Sequence, residues 1–211
     1  MMASITHCLR NARFDLIALL VGACLVWAGC GLARAEAPTT EISIFRTERD
    51  GEAVLLTAGV KFELSAAVQE ALFKGVPMVF VAEVDLFRER WYWTNKRVVS
   101  AERHMRLAYQ PLTRRWRLNV ASGLITQAGL AVALNQNFDA LSDALAAVER
   151  LSRWKIADVS ELDLEQRHLV EFRFRLDVSQ LPRPFQIGTL GQTDWNISVS
   201  ASQPLVLDGV K

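Results

Sequence analysis

The sequence predicts an α+β fold dominated by β-structure: an antiparallel sheet or β-sandwich with two helical insertions, preceded by an N-terminal signal helix. Three observations carry that prediction. Several short stretches alternate apolar and polar residues, and pairs of them flank turn-forming residues in the manner of hairpins. Only two stretches after the leader place apolar residues at helical spacing. Strands and helices do not alternate regularly, which argues against a parallel nucleotide-binding sheet.

The chain has 211 residues, of which the first 35 read as an export leader. His7, Arg10 and Arg13 form a mildly basic start, and an uncharged apolar run extends from Leu16 to Leu32. Ala33-Arg34-Ala35 then supplies the small-x-small pattern that a signal peptidase reads. Cleavage after Ala35 leaves residues 36–211 as a single periplasmic domain. Two other fates stay open: retention of the run as an anchor, and lipidation at Cys30, where Trp27-Ala28-Gly29-Cys30 resembles a lipobox. All three cysteines (Cys8, Cys24, Cys30) lie in this leader, so the domain that follows has no thiolate metal site and no disulfide.

Beyond the tether Ala37–Thr40, Ile42 and Ile44 alternate with polar neighbours, Asp50-Gly51 makes a turn, and Ala53–Val60 completes a hairpin. Ser65 caps a short helix over Ala66–Lys74 that Gly75 stops. Pro77–Trp93 is extended, and its apolar face changes near Phe87, which predicts a bulge or a bend there. A second hairpin turns at Gln110-Pro111-Leu112, with Met105, Leu107 and Tyr109 sharing one face of the first arm and Trp116, Leu118 and Val120 sharing one face of the second. Ala121–Gln136 is ambiguous between helix and strand. Phe138, Leu141, Leu145, Val148 and Leu151 form an amphipathic stripe, predicting a helix over Phe138–Arg153 capped by Asn137. Strands are expected at Trp154–Ala157, His168–Val178 and Asp194–Ala201, the last after the stiff Leu181-Pro182-Arg183-Pro184 connection.

Ala71-Leu72 with Gly75-Val76-Pro77, Arg88-Glu89-Arg90-Trp91-Tyr92-Trp93, Leu107-Ala108-Tyr109 with Leu112-Thr113, and Leu181-Pro182-Arg183-Pro184-Phe185 with Trp195 are the residues on which this sequence resembles a known family. It is an exported proteobacterial family, domain-of-unknown-function family 4390, and the resemblance runs from about Glu41 to Ser200. Arg-x-Arg-Trp-Tyr-Trp is its most specific piece. The resemblance implies an envelope protein without an established activity, and its members often stand beside genes for a sensor histidine kinase of nitrogen-regulation type, which hints at a partner. It supplies no catalytic residues.

The residues themselves show no chemistry of their own. His104 and His168 lack metal-ligand spacing, and Asp158, Glu161, Asp163 and Glu165 lack the ordered ligands of a calcium loop. There is no nucleophile elbow and no glycine-rich phosphate loop. Glu83 and Asp85 share a strand face, where carboxylates more often pair with neighbouring arginines than hydrolyse glycosides. No enzyme activity, cofactor or metal is expected.

Charge is the one feature with a pattern. Apolar residues are 51% and charged residues 22% of a chain whose net charge is only +1, which excludes disorder and any global attraction to nucleic acid. Yet residues 88–117 carry nine basic and two acidic side chains, while residues 36–87 carry four and nine. The basic stretch also holds aromatics, a composition suited to recognising anions or protein surfaces. Arg88, Arg90, Trp91, Trp93, Arg115 and Arg117 are the candidate interaction surface. A membrane-protein partner or an anionic envelope lipid or glycan would suit it. The competing reading pairs these arginines with acidic strands and buries the tryptophans in the core.

Overall fold

The computed structural model describes residues 40–90, 92, 94–122, 134–163, 165–183, 185–186 and 193–209. The leader readings, including Cys30, therefore lie outside the described residues. The chain forms β1 (Glu41–Asp50), β2 (Ala53–Lys61), helix α1 (Ala66–Phe73), β3 (Met78–Arg88), β4 (Lys96–Gln110), β5 (Arg115–Ser122), β6 (Leu134–Phe138), helix α2 (Leu141–Glu149), β7 (Arg150–Asp158), β8 (His168–Leu176), β9 (Ser198–Pro204) and the short β10 (Asp208–Gly209). Two sheets result. One has the order β10-β1-β2-β7, the other β6-β5-β4-β3-β8-β9. Every pairing is antiparallel except that of β10 with β1.

The sheets stack face to face as a β-sandwich. Val54, Leu56, Ala58 and Val60 of β2 share a core with the even residues of β3, from Met78 to Leu86, and with Val170, Phe172 and Phe174 of β8. Aromatic rings join the layers. Phe45 of β1 sits 5.8 Å from Phe172, and Phe62 after β2 sits 5.3 Å from Phe80 and 5.5 Å from Phe174, centroid to centroid. Burying a side chain of this size is worth about 1.5–3 kcal/mol, so this cluster is a principal tie between the sheets.

Each helix closes a gap that the sheets leave. Ser65 Oγ accepts a hydrogen bond from the Val68 N–H at 3.2 Å and starts α1, which buries Val68, Ala71 and Leu72. Gly75, at φ 84°, then turns the chain in the left-handed region, where a side chain is strained. The second helix is shorter than the apolar stripe predicts. Asn137 and Phe138 belong to β6, Ala140 stands at the N-cap without a side-chain bond, and Leu151 and Trp154 belong to β7. Phe138 pairs across the sheet with Trp116, so an apolar residue at helical spacing is taken by strand pairing instead. Asp194 likewise lies in a 3₁₀ turn (Thr193–Trp195) before β9 rather than in the strand.

The expected change of face near Phe87 does not occur in β3, which keeps its register with β8 through Arg88; the irregularity there is a bulge on the neighbouring β4. Leu86 pairs with Val99 but Phe87 pairs with Arg97, leaving Val98 as the extra residue on β4. That one-residue slip moves Arg97 to the outer face, where its Nη1 lies 3.6 Å from Asp85 Oδ1.

Candidate functional site

The basic segment does not fold into one patch. β4 runs fourteen residue steps from Lys96 to Gln110, roughly 46 Å at the usual rise, and Arg88 pairs with its first residue while Arg115 pairs with its last. Arg88 and Arg90 therefore sit at one end of the six-stranded sheet. Arg115 and Arg117 project from β5 at the other end, on the face opposite the buried Trp116. Trp91 and Trp93 lie outside the described residues, and Tyr92 between them is exposed.

Internal pairing takes only part of this charge. Arg97 approaches Asp85, and Arg115 Nε lies 2.9 Å from Asp139. Arg103 lies over the Trp154 ring at 4.8 Å between the sheets, where burial lowers its pKa below the usual guanidinium value. Among the described residues, Arg88, Arg90, Lys96, Arg106, Arg114 and Arg117 have no ion-pair partner. The acidic strand is instead matched by β8. Arg173 Nη2 donates to Asp85 Oδ2 at 2.5 Å, and Arg175 Nη2 donates to Glu83 Oε1 at 3.0 Å. Burial works to lower the Arg175 pKa, but hydrogen bonds and charge from Glu83 and Asp177 outweigh it and hold the group above its ordinary value. Glu83 and Asp85 are thus arginine partners.

At the Arg88 end, like charges face one another. Arg88 stands directly opposite Lys96 on β4 and opposite His168 on β8, so three nitrogen bases form a row across three adjacent strands. Cross-strand like charges are destabilising unless an anion intervenes. The row is held rigidly, because the Glu89 N–H donates to Arg167 O at 2.9 Å and the Leu205 N–H to His168 O at 2.8 Å.

Two depressions open beside this row. The larger, about 650 Å³, is lined by Arg49 from β1, by Glu89, by Gln166, Arg167 and His168, and by the apolar wall of Pro204, Leu205 and Leu207. The second, about 580 Å³, shares Glu89, Gln166 and Arg167 and adds Arg90, Asn95 and Glu165. His168 is only 5% exposed. Its Nδ1 lies 3.0 Å from the Gln166 carbonyl, which can only accept, so Nδ1 carries the proton. Its Nε2 is buried without a partner.

Arg49, Arg167, His168, Leu205 and Leu207 were not legible as site residues. They come from β1, the start of β8 and the segment after β9, and only pairing brings them together. The nearest sequence signal is the basic Arg167-His168 pair at the mouth of a clear strand. The acidic run from Asp158 to Glu165 serves the backbone. Asp158 and Glu161 form a reciprocal cap on a 3₁₀ turn, and Asp163 Oδ1 accepts from the Glu165 N–H at 3.3 Å. Among the described residues no three acidic, histidine or cysteine side chains gather as a metal site, and no helix is long and apolar enough to cross a membrane.

A family model described as "Domain of unknown function (DUF4390)" matches residues 37–203, which take in both sheets through β9. No curated protein and no solved structure matches the chain.

Proposed function

This chain belongs to the DUF4390 family, and from that premise we propose that it is an exported, non-enzymatic periplasmic domain that docks an acidic segment of a membrane protein, with a sensor kinase as the partner class. The export reading rests on the leader of the sequence. The docking reading rests on one observation: Arg88 and Lys96 oppose each other at the end of the sheet with no carboxylate partner among the described residues. Arg90, in the connection beyond β3, lines the adjoining depression. Loops at the end of a rigid sandwich are where recognition commonly resides. Guanidinium groups left without internal partners are suited to grip carboxylates in pairs.

The test is crosslinking of tagged full-length protein in its native envelope, comparing wild type with Arg88→Ala/Arg90→Ala. Wild type captures one membrane protein through an acidic segment and the double variant loses it. Stability of the variant stays within about 0.5 kcal/mol in a denaturant titration, as for surface changes generally. Equal capture by both proteins overturns this reading.

A second reading has its own observation at the far end of β4. Leu112 is fully exposed at the β4–β5 hairpin tip, half-exposed Phe73 packs edge-on to Tyr109 and Trp116 beneath it, and Arg114 and Arg117 are unpaired nearby. An apolar tip ringed by cations suits an anionic lipid surface, with a salt-sensitive association as its signature.

A further inference from the structure

We propose that the cavity of about 650 Å³ between β1, the start of β8 and the segment after β9 is a binding site for a small amphipathic oxyanion, a carboxylate or phosphate head on an apolar body. Its volume falls within the range of small-molecule sites. Its two walls differ in chemistry. Pro204, Leu205 and Leu207 offer apolar surface, while Arg49 and Arg167 supply two guanidinium groups against the single carboxylate of Glu89. Arg49 spends only its Nε, on the Gly51 carbonyl at 2.8 Å, and Arg167 has no ion-pair partner among the described residues.

The head is gripped by the arginines rather than by His168, whose Nδ1 lies 3.0 Å from the Gln166 carbonyl and whose Nε2 is buried with no surface open to the cavity. A phosphate and a carboxylate both present negative oxygens that guanidinium groups bind in pairs. Both heads therefore fit the Arg49 and Arg167 pair. The apolar wall requires that either be attached to a hydrocarbon body. This site adjoins the docking surface and shares Arg167 with its depression, but neither Arg49 nor Arg167 is altered in the crosslinking test, so the two readings fail separately.

The experiment titrates the full-length protein with octyl phosphate, octanoate, inorganic phosphate and octanol, following binding by calorimetry and the Arg49 and Arg167 Nε–H groups by ¹H–¹⁵N correlation. The expected result is saturable binding of at least one alkyl anion, with shifts of both guanidinium signals. Inorganic phosphate and octanol bind at least tenfold more weakly, because each lacks one half of the recognition. The octyl phosphate and octanoate arms separate the two heads. Arg49→Gln/Arg167→Gln, both surface changes, weakens the alkyl anion at least tenfold. Failure of both alkyl anions to bind, or binding indifferent to loss of both arginines, overturns the proposal.

Discussion

Arg153 shows how one residue's backbone and side chain serve opposite ends. It adopts φ 46° within a bulge of β7, a conformation that side chains other than glycine seldom hold. From that position its Nη1 donates to Glu48 at 2.8 Å and its Nη2 to Asp50 at 2.5 Å, across β2 onto β1. All three side chains are substantially exposed, so the pairs together are worth little, about 0–1 kcal/mol each. Left-handed strain relieved by glycine is worth a similar amount. Arg153→Gly is therefore expected to be close to neutral, while Arg153→Ala, which loses the pairs and keeps the strain, costs about 1 kcal/mol more. Denaturant midpoints of the two variants check this, and equal midpoints would remove any role for the backbone conformation. The arginine was visible in the sequence, but its left-handed state was not, because the bulge arises from how β7 registers against β2.

The turn that ends β8 carries a prediction about pH. Asp177 follows the strand and starts a 3₁₀ turn over Val178–Gln180. Burial raises the pKa of its carboxyl, but hydrogen bonds from the Ser179 hydroxyl, the Gln180 amide and the Ser179 N–H, with the charge of Arg175, outweigh burial and hold it below the ordinary value of 3.8. A carboxyl depressed in the folded state adds stability above its unfolded pKa and loses it as pH falls through the folded one. The contribution is thus complete above about pH 5 and fades below about pH 4. Asp177→Asn should be less stable than wild type at pH 6 and should lose less stability than wild type between pH 5 and pH 3. Parallel pH profiles for the two proteins would exclude Asp177 as a source of acid sensitivity. Elements of this kind differ in how readily they are inferred. The capped helix after Ser65 and the hairpin at Asp50-Gly51 were legible, because each is set by residues within a few positions; the bulge was expected in the strand of Phe87 and lies instead at Val98 of β4, set by the strand's partner. The helix over Phe138–Arg153 was misjudged at both ends, because the pairing of Phe138 with Trp116 and of Leu151 with Ala58 overrides local periodicity.

At the scale of the whole molecule, the chain crosses from one sheet to the other after β9. Leu205 and Leu207 pack against the core, Thr47 Oγ1 donates to the Val206 carbonyl at 2.8 Å, and β10 pairs in parallel with the edge of β1. This crossing supplies the apolar wall of the cavity and ties the sheets together at that end. Truncation after Gln203 should leave the two sheets folded, since the other pairings do not need it. It should lower stability by about 2–3 kcal/mol, the value of two partly buried leucines and one hydrogen bond. Chemical denaturation of the truncated and full-length chains measures it. A loss below about 0.5 kcal/mol would mean that the crossing contributes no closure.

Composition and alternation alone determined the β-dominated class, the two helices, most strands and the absence of cysteine after Cys30. These depend on local period and residue type, which a chain displays before it folds. Tertiary structure decided where charge ends up. A basic run contiguous in sequence is drawn out along β4 into two distant ends, because an extended strand separates its termini by about 3.3 Å per residue. Conversely, Arg49, Arg167 and His168, remote from one another or unremarkable in sequence, meet at one cavity because β1 and β8 belong to facing sheets whose register no local pattern encodes.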